Sequence, residues 1–171
     1  HAPSAFVRHR CGAFGRALMS EFAYELATLV QAVTTAVPGH PDGPYAVPWY
    51  LVVGEPGSGR SSAIRSLNLS WPRGDSPIVL NQPQPRCSYW LPEKAAFIEP
   101  EDQVLGPNRS PTKLQELCNE LKEKRPREPI DGIVLIVSAA TLADANEDGV
   151  ERHAKTLRTY LIEIAQAFAA D

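Results

Sequence analysis

A chain of 171 residues, 43% hydrophobic and 22% charged, is long enough to bury one sizeable core and too apolar to remain disordered. Its formal net charge of −3 provides no basic field of the kind nucleic acid or an anionic lipid surface demands, so neither is expected as a partner. Cys11, Cys87 and Cys118 lie far apart with no C-x-x-C spacing, which argues against a disulfide framework or zinc site and for a reducing compartment.

The chain opens at His1 without the features of a signal peptide, and is expected to be a piece of something longer. No apolar run approaches the roughly 20 residues that cross a bilayer.

From Phe14 to Val37, Phe14, Leu18, Phe22, Leu26, Leu29 and Val33 recur at three- and four-residue steps, predicting an amphipathic helix. The proline- and glycine-rich stretch 38–44 ends it. Residues 1–44 are accordingly assigned to an N-terminal helix and linker, and 45–171 to the main domain. PWYLVVG, residues 48–54, reads as a buried parallel strand, and RSSAIRSLNL from Arg60 as a helix. Residues 68–76 are expected to be loop and PIVLN, 77–81, a short strand. NQPQPRCSYWLPE, 81–93, is too rich in proline to predict regular structure.

KAAFIE, 94–99, is a further short strand ended by Pro100. After an irregular stretch, TKLQELCNELKEK puts Leu114, Leu117, Cys118 and Leu121 on one helical face, with Thr112 as the expected N-cap. IDGIVLIVSA, 130–139, has the continuous β-branched character of a strand buried on both faces. The final segment, 147–171, predicts a long helix with Val150, Ala154, Leu157, Leu161, Ile164 and Phe168 inward. Alternating strands and helices give an α/β fold with a mostly parallel sheet flanked by helices.

Gly54-Glu55-Pro56-Gly57-Ser58-Gly59-Arg60-Ser61-Ser62 follows the first strand and opens a helix, the setting of a phosphate-binding loop. There, backbone N–H groups and the helix end cradle phosphate, a lysine adds charge, and the next hydroxyl binds magnesium. Ser61 stands at the magnesium position, but Arg60 replaces the lysine, and a planar fork does not reproduce a compact point charge. The glycines are equally compatible with a plain tight turn. The carboxylate expected on the neighbouring strand is Glu99, followed by Pro100, Glu101 and Asp102 where nucleotide switches place a flexible turn. His153 is expected to be solvated, Asp131 and Asp144 to be turn or cap residues, and Tyr89 and Trp90 to be core or contact residues.

Three segments in order, VPWYLVVGEPGSGRSSAIRSLNLSWP, CSYWLPEKAAFIEPED and LKEKRPREPIDGIVLIVSAATLADANEDGVERHAKTLRTYLIEI, resemble the cytoplasmic NTPase-like domain of the IcmF/TssM proteins. These are inner-membrane core components of type VI secretion systems. The resemblance implies a P-loop NTPase-like fold on the cytoplasmic face of the bacterial inner membrane. It also implies partners among the other membrane-complex and baseplate proteins, and membrane contact only through segments outside this chain. The family's Lys-Thr is Arg60-Ser61 here, and its Asp-Thr-Ala-Gly turn is Glu99-Pro100-Glu101-Asp102.

That pattern implies a degenerate member acting as a structural or regulatory docking module, with no catalytic residue assigned. The candidate ligand contacts are residues Gly54 to Ser62, with Ser61 and Glu99 for magnesium, and the cofactor is GTP or ATP with magnesium, or none. The rival readings are an active GTPase or ATPase driving assembly and a stand-alone P-loop kinase or transferase. The family's next strand and base-reading motif would follow, so the sheet is expected to continue past Asp171.

Overall fold

The structure, a computed structural model, describes residues 20–80, 82 and 84–170. Strands β1 (Trp49–Gly54), β2 (Cys87–Trp90), β3 (Ala96–Pro100) and β4 (Gly132–Ile136) form one sheet in the order β2-β3-β1-β4. β1 runs parallel to β3 and β4, and β2 is antiparallel to β3. The fold is thus α/β with a mostly parallel sheet and helices on both faces.

Helix α1 (Glu21–Ala36) begins where the Ser20 hydroxyl accepts from the Ala23 N–H at 3.1 Å and donates to Glu120 at 2.6 Å. Val37 closes it ahead of Pro38, which cannot extend a helix. The expected start at Phe14, and Cys11, lie outside the described residues. Phe22, Leu26, Leu29 and Val33 of α1 share one buried cluster with Trp49, Leu51 and Val53 of β1. Helices α4 (Pro111–Lys124) and α6 (Glu147–Ala169) complete that layer through Leu114, Leu117, Leu121, Leu157, Tyr160 and Ile164. On the opposite face, Val52, Trp90 and Phe97 pack with Ile64 of α2 (Arg60–Ser66) and half-buried Trp71. Short helices α3 (Asp102–Leu105) and α5 (Ala139–Asp144) follow β3 and β4.

Several expectations are corrected. Residues 77–80 make no strand, although the Ile78 N–H donates to the Tyr89 carbonyl at 2.7 Å. The strand lies instead at Cys87–Trp90, inside the segment expected to be irregular. Its prolines fall before and after the four paired residues, and an edge strand tolerates that placement. Ser110 and Pro111, rather than Thr112, open α4, because proline's fixed φ suits the first helical position.

β4 is not buried on both faces. It is an outer strand here, and Ile133 and Leu135 remain 39% and 41% exposed although they share a face with Leu51 and Val53. In α6 the buried stripe is Leu157, Tyr160, Ile164 and Ala167, with Val150 and Ala154 exposed. Among the described residues no helix is long and apolar enough to cross a membrane.

Two buried charges fix the frame. Asp131, expected to be a turn or cap residue, accepts from the Trp49 N–H at 2.7 Å and from Arg125 at 2.8 Å, which registers the starts of β1 and β4. Arg125, 1% exposed, also lies over the rings of Tyr45 and Trp49 at 4.6 and 5.0 Å. Glu25, fully buried in α1, accepts from the Arg86 N–H at 2.7 Å, the Tyr89 hydroxyl at 2.9 Å and the Gln82 amide. Burial pushes its carboxyl above the ordinary range, and those donors offset the effect only in part.

Arg125→Ala strips a half-buried ion pair of its cation and two rings of a packing partner, and is expected to cost about 2–3 kcal/mol in urea denaturation. For Glu25, the folded chain holds the proton more tightly than the unfolded chain, whose value is 4.5, so its contribution falls as pH rises from there through the folded value. Denaturation midpoints of Glu25→Gln and the parent should differ most in the parent's favour at low pH, with that advantage shrinking toward neutrality. A constant difference across the range would contradict this assignment.

Candidate functional site

Gly54 ends β1 where the chain passes so close to β4 that a Cβ would sit 2.7 Å from the Ile136 carbonyl. Glu55, Pro56, Gly57 and Ser58 then make a turn closed by the Ser58 N–H on the Glu55 carbonyl at 3.0 Å. Proline second and a glycine at φ +78° third are what such a turn selects. Gly59, at φ +85°, is the N-cap of α2, so the chain enters the helix through a conformation other residues rarely adopt. The glycine spacing is therefore met by backbone geometry alone.

Arg60 and Ser61, in the first turn of α2, meet the end of β3. The Ser61 hydroxyl lies 2.9 and 3.0 Å from the two carboxylate oxygens of Glu99, a bifurcated contact. Glu99, 7% exposed, also accepts from the Trp90 indole N–H at 3.0 Å. The Arg60 guanidinium donates to the Pro100 carbonyl at 3.0 Å and to Asp102 at 3.4 Å, and its Nε lies 3.6 Å from Glu99. Trp90 reaches Glu99 because β2 pairs antiparallel with β3, and it carries Arg65 over its ring at 4.9 Å.

Of the expected site residues, the fold brings Arg60, Ser61 and Glu99 into one cluster and sets Glu55, Pro56 and Ser58 around a separate hollow. Gly57 and Gly59 shape the turn, and Pro56 and Ser62 are exposed. The hollow, about 260 Å³, is bounded by the turn after β1, by Ile136, Val137 and Ser138 after β4, and by Thr141, Leu142 and His153. It lies where chain order reverses across β1, the place open α/β sheets leave a crevice. His153, expected to be solvated, instead has Nδ1 2.6 Å from Glu55, and both side chains are 29% exposed. The Ser58 hydroxyl is buried without a partner.

Among the described residues no group of three or more His, Cys, Asp or Glu is placed to hold a metal ion. As arranged, the polar residues of the turn are bonded within the protein and would have to part before holding a magnesium nucleotide. The magnesium-type hydroxyl and carboxylate bond each other, and the one cation at the turn is committed to residues 100 and 102.

Fold and site thus define a class: an α/β protein with a mostly parallel sheet whose glycine-rich strand-to-helix turn is tied to a carboxylate on the adjacent strand. The family described as the IcmF-related N-terminal domain matches residues 107–171. The type VI secretion system component TssM1 of Pseudomonas aeruginosa is 25% identical in an alignment 131 positions long that covers 71% of this chain and 12% of that protein. No solved structure matches. Family and relative agree, and both support reading the chain as similar to the IcmF/TssM type VI secretion proteins. It spans about 12% of the length of that relative.

Removing the Glu99 carboxylate leaves Ser61, Trp90 and Arg60 short of a buried acceptor at once, whereas removing the Ser61 hydroxyl leaves Glu99 with its indole donor and Arg60. Glu99→Ala is expected to cost about 2–4 kcal/mol and Ser61→Ala about 1 kcal/mol in chemical denaturation. Equal losses would mean that Glu99 does not organise the cluster.

Proposed function

We propose that the chain is a P-loop NTPase-like domain of a type VI secretion membrane-complex protein that works as a docking module. Its partners in this reading are other membrane-complex and baseplate components, at the cytoplasmic face of the inner membrane. The observation that carries the reading is the engagement of both chemistry-bearing residues of the turn with the end of β3. Ser61 is bonded to Glu99, and Arg60 to the Pro100 carbonyl and Asp102. A nucleotide entering with magnesium must first break charge-assisted bonds worth about 1.5–3 kcal/mol each, one to two decades of affinity apiece. Glu99, Glu101 and Asp102 also stand in sequence beside the turn, so added phosphate charge meets three carboxylates. The scaffold around them is intact, which suits a protein kept for its surfaces.

A second reading, an active GTPase or ATPase, is favoured by one contact: a hydroxyl and a carboxylate at 2.9 Å are the pair that would flank a magnesium ion. It requires Arg60 to leave the turn and face phosphate. The family match and relative give no support to a stand-alone kinase.

Calorimetric titration with magnesium GTP and magnesium ATP separates the two main readings. The docking module gives only dilution heats, and Arg60→Lys gains little. Micromolar binding by the parent, lost in Arg60→Ala together with a measurable hydrolysis rate, overturns the degenerate reading and establishes the enzyme.

A further inference from the structure

The hollow between the β1 turn and the end of β4 has a chemistry of its own. It is lined by Glu55, Ser58, Ser138, Thr141 and His153 beside five apolar residues, Leu142 among them, with no lysine or arginine among its walls. Arg60 is turned to the other side of β1, onto residues of the β3 end. When Glu55 is ionised, a neutral His153 donates from Nδ1 and keeps Nε2 as an acceptor, and the second carboxylate oxygen of Glu55 stays available. An anion entering here meets a carboxylate and no lysine or arginine. A cation rich in N–H groups meets a carboxylate, an imidazole nitrogen and hydroxyl oxygens.

The charge extends beyond the hollow. A second hollow of about 630 Å³ shares Thr141 and His153 with the first and runs on to Asp144, Asn146 and Arg152. At the start of α6, Glu147, Asp148 and Glu151 are all exposed. Asp144 to Glu151 thus carries four carboxylates and no basic residue, with Arg152 the first cation after them. A pocket with one counter-ion, continued by a groove that holds Asp144 and Arg152 and is bordered in sequence by three exposed carboxylates, is longer than a single small amine needs and suits a chain presenting more than one positive side chain.

We propose that this crevice is an anchor pocket for a lysine or arginine side chain of a protein partner, with Glu55 as its counter-ion and the 144–151 stretch receiving neighbouring basic residues. The proposal rests on the docking reading and names the chemistry of the partner segment.

The test is an NMR titration of the 171-residue chain with a short glycine–serine peptide carrying two arginines. The same peptide with citrulline in their place, free arginine, and magnesium GTP serve as comparisons. The arginine peptide is expected to move the amides of Glu55, Ser138, Thr141 and His153, while citrulline weakens it about tenfold or more. Glu55→Gln should weaken it by about as much. The exposed double variant Glu147→Lys, Glu151→Lys, which leaves the hollow itself untouched, is expected to weaken it about threefold to fivefold.

Equal binding of the citrulline peptide, or indifference to Glu55→Gln in a variant with the parent's thermal transition, overturns the proposal. So does free arginine that matches the peptide, which would make this a small-molecule site, or nucleotide moving the same amides at lower concentration. In-cell crosslinking of the full-length protein separates this from the docking reading. Crosslinks to secretion components that survive Glu55→Gln overturn the pocket and leave docking standing, whereas their loss in that variant supports both. A parent without such crosslinks overturns the docking reading, and the peptide titration still decides the pocket.

Discussion

The carboxylate of Glu99 is the constraint on which the upper end of the molecule depends. A buried negative charge at the end of a central strand is tolerable only with donors around it, and here they come from three directions. Ser61 supplies a hydroxyl from the helix after β1, Trp90 an indole N–H from the antiparallel strand, and Arg60 a nearby positive charge. Each is thereby held in place, so α2, β2 and the 99–102 turn are positioned by one acceptor. Arg60 then neutralises part of the charge at that turn and is withheld from the inside of the glycine-rich loop.

The sheet order separates that cluster from the crevice. With β1 between β3 and β4, the turn after β1 has one flank on the β3 end and the other on the β4 end. On the β3 flank Arg60 and Ser61 are engaged within the protein. On the β4 flank the Glu55–His153 pair stands at the mouth of an open hollow with free acceptors. One loop thus has a closed side and a receptive side. At the opposite end of the strands, Arg125 and Asp131 register β1 against β4, so the geometry of the crevice is set from both ends of the same strand pair.

Periodicity made the helices legible: apolar residues every third and fourth position place α1 and α4, because a helix must turn one face to the sheet. It was less reliable for strands. The prolines around Cys87–Trp90 obscured β2, yet they sit outside the four paired residues. The apolar run of β4 suggested burial on both faces, but it is an outer strand among the described residues and keeps one face partly exposed. In α6 the stripe was displaced toward Tyr160 and Ala167, since which side faces inward depends on where α4 and β1 lie.

The sequence by itself determined the alternation of strands and helices, the glycine-rich turn, and the replacement of its lysine by Arg60 and of the following switch turn by residues 99–102. These are local properties, written in turn chemistry, side-chain period and residue identity at short range. Only the tertiary structure decided that Arg60 faces away from the loop, that Ser61 and Trp90 share Glu99, and that His153 closes on Glu55 from 98 positions away. Those contacts join residues far apart in the chain, and no short-range pattern encodes them. They exist because the sheet brings the ends of β1, β3 and β4 to one edge of the molecule, where buried polar groups must satisfy one another.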